Sequence, residues 1–480
     1  MNRPSLKKHS VADILHSAHV LFTILAALLA SSAVADGIRT APDSRAVGVD
    51  LSGEWTVTGT NFTGRLRLPG TLADAKLGRP MTAEDWRTTT DRCQKGALMR
   101  AYQYTGPATY AREIELSSAE AGRPLEVVLE RVMWKSTVRW DGENLGSADS
   151  LSAPHVHVIP AARATAGRHR LEIDVDNSRF HDFSGWAHSY GPVMQSVWHG
   201  VLGRMEIRPV RPLADARVFP HPADKRRVDV EVPGDFRAEL GRTLVLDGLK
   251  ALSLSEAPSP YCAGRKLVTV TLGETPVEWN EFHPQLYTLV LGEGAARRRL
   301  RFGFRQIATR GRELLLNGQP FFMRGNLDCC NFPLSGAPDM SVEGWRRIFE
   351  RLRGEGINTV RFHSWCPPEA AFVAADELGI YFGVEAAIWV DGWMGTDPVG
   401  RGKPIDGFTQ RELKSILAAY GNHPSFISLG IGNELSNSEF KNMGGWLNDC
   451  RKIDPRHLYF ASTAPASTAW PDCRPTTVRS

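Results

Sequence analysis

The sequence lacks most of the features that would assign it at once to a special class. Past position 30 it has no continuous apolar stretch approaching the ~20 residues that a membrane-spanning helix takes. Cysteine is sparse: Cys93, Cys262, Cys329, Cys330, Cys366, Cys450 and Cys473 are odd in number and scattered, which argues against a paired disulfide framework. Neither C-x-x-C nor H-E-x-x-H occurs, so no zinc site is expected. A large excess of charge of one sign is missing too, the formal net charge being +4 over 480 residues. The basic clusters at 225–227 (KRR) and 297–301 (RRRLR) are short and have no interleaved aromatics. They are expected to be solvated strand ends or turns, and no nucleic-acid partner is expected.

One apolar run does stand out, VLFTILAALLA at 20–30, and its 11 residues are too few to span a bilayer. Arg3, Lys7 and Lys8 precede it, and Ala33-Val34-Ala35 follows. A basic start, a short apolar segment and a small-residue cleavage site predict a secretory signal peptide over 1–35. The expected location is therefore secreted or periplasmic, with no membrane association after cleavage.

Beyond it, residues 48–209 look all-β. ATYAREIEL (108–116), PLEVVLERV (124–132), KSTVRWDGENLG (135–146) and RHRLEIDVDN (168–177) alternate apolar and polar residues. Asp141-Gly142 marks a hairpin tip. Short strands at this spacing predict a jelly roll or sandwich. A second β region at 210–304 contains RVDVEVPG, RTLVLDGL, KLVTVTLG and PQLYTLVLG, and suits an immunoglobulin-like β-sandwich.

After Arg305 the period changes. FFMRGNLD, INTVRFHSW, IYFGVEAAIW, SFISLGIGNE and HLYFAS read as strands. VEGWRRIFERLRGEG, PPEAAFVAADELG, QRELKSILAAYGN and SEFKNMGGWLNDCRKI read as the helices between them. Such alternation predicts parallel βα units over 305–480. No glycine-rich phosphate loop follows the first strand, which favours a (β/α)₈ barrel, here partial, over a nucleotide fold.

In a barrel, the C-terminal strand ends face the active-site mouth. Those ends deliver Asp328; Arg361, His363 and Trp365; Glu385 and Trp389; and Asn433 and Glu434. Carboxylates, an amide, a cation, an imidazole and aromatics on one face suit a sugar, whose ring faces stack on aromatics while its hydroxyls take polar partners. Some of these residues are equally suited to capping helices or anchoring loops. Glycoside cleavage uses two carboxyl groups, one to protonate the leaving oxygen and one to capture the anomeric carbon. Glu434 suits the first role, because a carboxyl group partly withdrawn from water keeps a proton to donate. Asn433 beside it suits the sugar 2-hydroxyl, and Glu385 suits either substrate or Arg361.

Several segments resemble glycoside hydrolase family 2, the family of β-galactosidases, β-glucuronidases and β-mannosidases. They are GNE after GNHPS, FGFRQI…LLLNGQPFFMRGN, GINTVRFHSWCPPEAAFVAADELGIYFGVE, VEWNEFHPQLYTLVL and GPVMQSVW. The resemblance covers roughly 51–462. It implies a retaining exo-β-glycosidase on β-linked saccharides, with Glu434 as acid/base, Asn433 as the neighbouring amide, and Arg361, His363 and Trp365 in the substrate pocket.

Three departures follow. Leu327 stands where relatives often have histidine, and Trp389 stands where galactosidase-type members place a magnesium-binding acid. No cofactor is therefore expected, and a simple β-galactosidase is disfavoured. The family's nucleophile is a glutamate on the seventh barrel strand, whereas the sequence runs 46 residues past Glu434, to about the fifth strand. The expectation is a chain truncated before its nucleophile. Glu385 is expected not to replace it, and a non-catalytic carbohydrate-binding protein is the alternative.

Overall fold

The computed structural model describes residues 48–82, 101–182, 187–191, 197–211, 213–294, 297–332, 334–390 and 398–462. The predicted signal peptide lies outside them, as do Cys93, Cys473 and most of the GPVMQSVW segment.

Most of the described strands between 49 and 209 form two antiparallel sheets. One orders Val49–Asp50, Gly200–Pro209, Leu125–Met133 and His155–Ile159, with Gly70–Thr71 added at its side. The other orders Glu143–Ala148, Lys135–Trp140, Gly167–Asp176, Pro107–Leu116, Gly53–Gly59 and Phe62–Leu68. Inward residues such as Trp55, Tyr110, Leu129, Trp140 and Ile173 share one core. The expected hairpin is present: Asp141 and Gly142 both have positive φ, 51° and 81°, and Trp140 pairs with Glu143 across them. One expectation needs correcting. Leu125–Met133 is buried at every position, not at alternate ones. Its second face is covered, and there the Arg131 guanidinium donates to the carbonyls of Ser152 and Cys366.

A second antiparallel pair follows. Arg217–Pro220, Arg227–Pro233, Arg265–Leu272 and Ala251–Pro258 form one sheet, and Leu244–Asp247, Tyr287–Leu291 and Arg298–Phe302 the other. Val230, Val268, Leu289 and Phe302 lie in the core between them. The RRRLR cluster is a strand here, not a solvated end or turn. Leu300 and Phe302 are buried, and Arg299 and Arg301 reach Asp247 and Glu377, each at 2.9 Å.

After a small antiparallel sheet over 307–320, five strands lie parallel in chain order: β1 (Gly325–Asp328), β2 (Thr359–Phe362), β3 (Tyr381–Glu385), β4 (Phe426–Gly430) and β5 (Leu458–Phe460). The connections are α1 (Val342–Gly354), α2 (Glu369–Leu378), α3 (Pro404–Tyr420) and α4 (Phe440–Ile453). Local chemistry sets these ends. Ser341 Oγ caps α1 by accepting from Gly344 N at 3.1 Å. Gly379, with φ 74°, closes α2 in the left-handed conformation. α3 starts six residues before the expected QRELKS, with Pro404 in its first turn. FFMRGNLD is strand only at its end, and Phe322 before it is 76% exposed.

Every residue of β3 is buried, as for a strand covered on both faces. Phe362, Phe382, Val384 and Leu429 join helix residues such as Phe372, Ile416 and Leu447 in one core. Each such side chain stabilises the fold by about 1.5–3 kcal/mol on burial. Arg305 ties the second sandwich to this sheet, donating to the carbonyls of Pro424, Arg456 and Phe426 at 2.6–2.9 Å.

Candidate active site

β2, β3 and β4 are neighbours, so their C-terminal ends bring three polar residues into one chain of hydrogen bonds. Arg361 Nε donates to Glu385 Oε1 at 2.7 Å, and Arg361 Nη2 donates to Asn433 Oδ1 at 3.0 Å. The second Glu385 oxygen accepts from the backbone N–H of Ser364 at 2.7 Å. Glu385 is fully buried. Burial raises its carboxyl pKa, against the pull of Arg361 and the Ser364 N–H. Of the two roles expected for Glu385, the geometry supplies the contact with Arg361.

A second group lies beside the first. Gly432 and Asn433 carry the chain past β4 next to the exit of β3, where Asn433 N donates to Ile388 O at 2.9 Å and pairs with Trp389 in a single parallel bridge. Glu434 follows with φ 49°. Its Oε2 accepts from Trp389 Nε1 at 2.7 Å. The Trp389 ring lies 4.8 Å from the His363 ring, and both lie near His188, whose ring is 4.4 Å from His363 and 5.6 Å from Trp389. Burial is the main cause of lowered pKa in both histidines, to about 3 for His363 and about 4 for His188. Both are neutral at neutral pH.

His188 comes from the first sandwich, and sequence reasoning missed it. Its backbone N–H donates to Ser364 Oγ at 3.0 Å, and its Nδ1–H donates to the His363 carbonyl at 2.8 Å. The available signal was an aperiodic stretch rich in histidine and aromatics, FHDFSGWAHSY at 180–190, between two strands. Ser364 was missed as well, and with φ 50° it turns the chain at the β2 exit.

Asp328, at the end of β1, accepts from Cys330 N at 2.8 Å through Oδ1, and its carbonyl accepts from His363 N at 2.9 Å. Burial pushes its carboxyl up to about 6. Trp365 is the member of the predicted set that the structure does not bring to the mouth. It is 1% exposed, packs against Phe332, Trp345 and Phe362, and donates to the Asp328 carbonyl at 3.2 Å. The turn at Ser364 sends it back into the core. Leu327 is 48% exposed. No group of three or more histidine, cysteine or acidic side chains able to hold a metal occurs among the described residues.

A cavity of about 280 Å³ opens elsewhere, on the first sandwich, lined by Glu54, Arg65, Arg112, Glu113 and Arg170 among others. It carries charges of both signs, and it brings together none of the groups at the strand ends. The chemistry therefore points to the mouth.

No family model matches the chain. Among curated proteins it is similar to a β-galactosidase of Enterobacter cloacae, 27% identical over 228 residues, or 43% of this chain and 22% of that protein. A β-galactosidase of Aeromonas hydrophila is 26% identical over 295 residues, 54% of this chain and 27% of that one. A putative β-glucuronidase of Formosa agariphila is 29% identical over 169 residues, 34% and 19% of the two chains. The chain thus spans about a quarter or less of the curated relatives it matches. Among solved structures, a family 2 β-galacturonidase from Eisenbergiella tayi bound to galacturonate has a TM-score of 0.58 at 18% identity, over 87% of this chain and 71% of that one. The β-D-glucuronidase of Dictyoglomus thermophilum has a TM-score of 0.62 at 16% identity, over 86% and 72%. These two likenesses show a shared fold.

Proposed function

We propose that this chain, of the family 2 glycoside hydrolase lineage, supplies the acid/base, Glu434, for retaining hydrolysis of terminal β-glycosidic bonds. The observation that carries the proposal is the placing of Glu434 and Asn433 at the exit of β4, one held by Trp389 and the other by Arg361. In the reaction Glu434 protonates the leaving oxygen and then takes a proton from water, while Asn433 hydrogen-bonds the 2-hydroxyl. His363 and Trp389 supply the edge and face against which a sugar ring packs. On this reading the first sandwich is the jelly roll, the second the immunoglobulin-like domain, and β1–β5 are strands of a (β/α)₈ barrel. The substrate is a β-linked oligo- or polysaccharide, and the protein is exported.

The retaining mechanism needs a second carboxyl group on the opposite side of the sugar. None of the described residues takes that role in this proposal. Glu385 is on the strand next to Glu434 and has both oxygens engaged, by Arg361 and by Ser364 N.

The test is to assay the full chain against aryl β-galactosides and β-glucuronides, and to titrate it with D-galactono- and D-glucaro-1,5-lactone. Turnover that Glu434→Gln abolishes supports the whole proposal. Lactone binding without turnover supports the acid half of the site and returns the nucleophile as missing. Turnover that survives Glu434→Gln, or no binding of either lactone, overturns it.

A further inference from the structure

We infer that Glu385 is a positioning residue that acts through Arg361 to set the carboxamide of Asn433, and thereby the recognition of the sugar 2-hydroxyl. The inference rests on the functional reading of Asn433 given above, and adds to it a two-step relay.

The relay follows from donor and acceptor inventories. A guanidinium only donates, so the Asn433 atom facing Arg361 Nη2 at 3.0 Å is its oxygen. That settles which way the amide is turned. Its Nδ2 hydrogens make no hydrogen bond to another described residue, and remain as donors for a hydroxyl oxygen. The Asn433 backbone is pinned independently, by its N–H to Ile388 O at 2.9 Å. The side-chain orientation is therefore the only freedom left, and Arg361 takes it away.

Arg361 needs an anchor to do this. Its side chain is 40% exposed, whereas that of Glu385 is 0% exposed. Glu385 accepts from Arg361 Nε at 2.7 Å on one oxygen and from Ser364 N at 2.7 Å on the other. The carboxylate thus has no oxygen unengaged, and it ties the exits of β2 and β3 together. Glutamine cannot replace it: with its oxygen on Arg361, its amide N–H₂ would face the Ser364 N–H, donor against donor. Turned the other way it would meet the guanidinium. Either way one of the two bonds is lost, and Arg361 loses either its partner or the contact that fixes that partner.

The test has two readouts on the full chain. The first is titration with D-galactono- or D-glucaro-1,5-lactone, whichever binds more tightly, and with its 2-deoxy counterpart. The wild type is expected to prefer the 2-hydroxy form by roughly tenfold, the worth of about one good hydrogen bond. Glu385→Gln and Asn433→Ala should each remove that preference, and the double variant should lose no more than either alone. The second readout needs no sugar: the side-chain ¹⁵N–¹H₂ signals of Asn433, assigned by their loss in Asn433→Ala, should shift in Glu385→Gln.

Additive losses, or a 2-hydroxyl preference intact in Glu385→Gln, overturn the relay and leave the functional reading standing. Asn433 signals that shift in a protein with no 2-hydroxyl preference sustain the relay and overturn the functional reading. Should Glu385→Gln not fold, Arg361→Lys decides by the same two readouts. A single ammonium cannot reproduce the guanidinium's contacts with both Glu385 and Asn433, so unchanged Asn433 signals there overturn the relay.

Discussion

Trp389 donates its indole N–H to Glu434 Oε2 at 2.7 Å, so the proposed acid is held by the residue that leaves the neighbouring strand beside it. A hydrogen bond to a charged group is worth about 1.5–3 kcal/mol, mostly through orientation and support of the anion. Trp389→Phe keeps a ring facing His363 and removes the donor. For aryl β-glycosides with poor leaving groups, which need protonation, turnover is expected to fall roughly tenfold or more. For 2,4-dinitrophenyl glycosides, which leave without a proton, it should change little. Equal losses on both substrates would mean that the indole does not serve the acid.

Asp328 gives a prediction that needs no substrate. Its carboxyl titrates near 6 in the folded protein because burial disfavours the charge. Unfolded aspartate titrates near 3.9. Between those values the folded state binds more protons than the unfolded state, so this group's contribution to stability falls as pH rises through the window. About two pH units correspond to about 3 kcal/mol as an upper figure. Asp328→Asn keeps an oxygen to accept from Cys330 N and never ionises. It should raise the urea midpoint at pH 7 and leave it nearly unchanged at pH 4. A midpoint lowered at pH 7 would show that the charge has a partner that stabilises it.

Much of this arrangement was legible in the sequence, for physical reasons. IYFGVE and SFISLG are continuous apolar runs because both strands are covered on both faces, and each run leads to an isolated polar residue at the sheet's edge. Glycine and proline marked where α2 begins and ends. Less visible was which charged group would meet which. Glu385 and Arg361 are 24 residues apart, and only the pairing of β2 with β3 joins them. Trp365 and Trp389 look equivalent as strand-exit aromatics. The left-handed backbone at Ser364 sends the first into the core, and no periodicity reports a reversal beyond a strand's end. His188 meets His363 across 175 residues, from the first pair of sheets. The continuous burial of Leu125–Met133 had the same origin, since a strand's own pattern does not show what will cover its outer face.

The buried histidines act on stability with the opposite sign to Asp328. His188 and His363 titrate near 4 and 3, chiefly through burial, against about 6.5 when unfolded. Below 6.5 the unfolded chain takes up protons that the folded chain refuses, so stability is lost as pH falls toward 4. At His188, burial and the Arg361 charge oppose a cation and outweigh the His363 carbonyl, which favours one. His188→Asn retains a donor to the His363 carbonyl and has nothing to titrate. Urea midpoints between pH 7 and 4 should fall less steeply in this variant, by close to one proton in the linkage slope. Parallel profiles for variant and wild type would mean that His188 already binds its proton in the folded state.

Gly432 joins the backbone of β4 to the proposed acid, and its lack of a side chain is what lets the two strand exits meet. A Cβ there would lie 2.1 Å from Ile388 O and 2.8 Å from Ile388 C, and φ is 155°, which side chains rarely adopt. The obstructing atoms are backbone, so they cannot rotate away. Gly432→Ala must therefore move Asn433 off Ile388 O, and with it the Glu434 carboxylate off Trp389 Nε1. Local backbone strain of this kind costs about 1–3 kcal/mol, small enough for the protein to remain folded. Gly444→Ala is the matched control, since a Cβ at that position in α4 meets nothing within 4 Å. Replacing a mid-helix glycine should stabilise by roughly 0.5–1 kcal/mol. Thermal unfolding is expected to move the two variants in opposite directions, and lactone affinity to drop at least tenfold in Gly432→Ala alone. Wild-type affinity in a folded Gly432→Ala would show that the close approach of β4 to Ile388 does not shape the site.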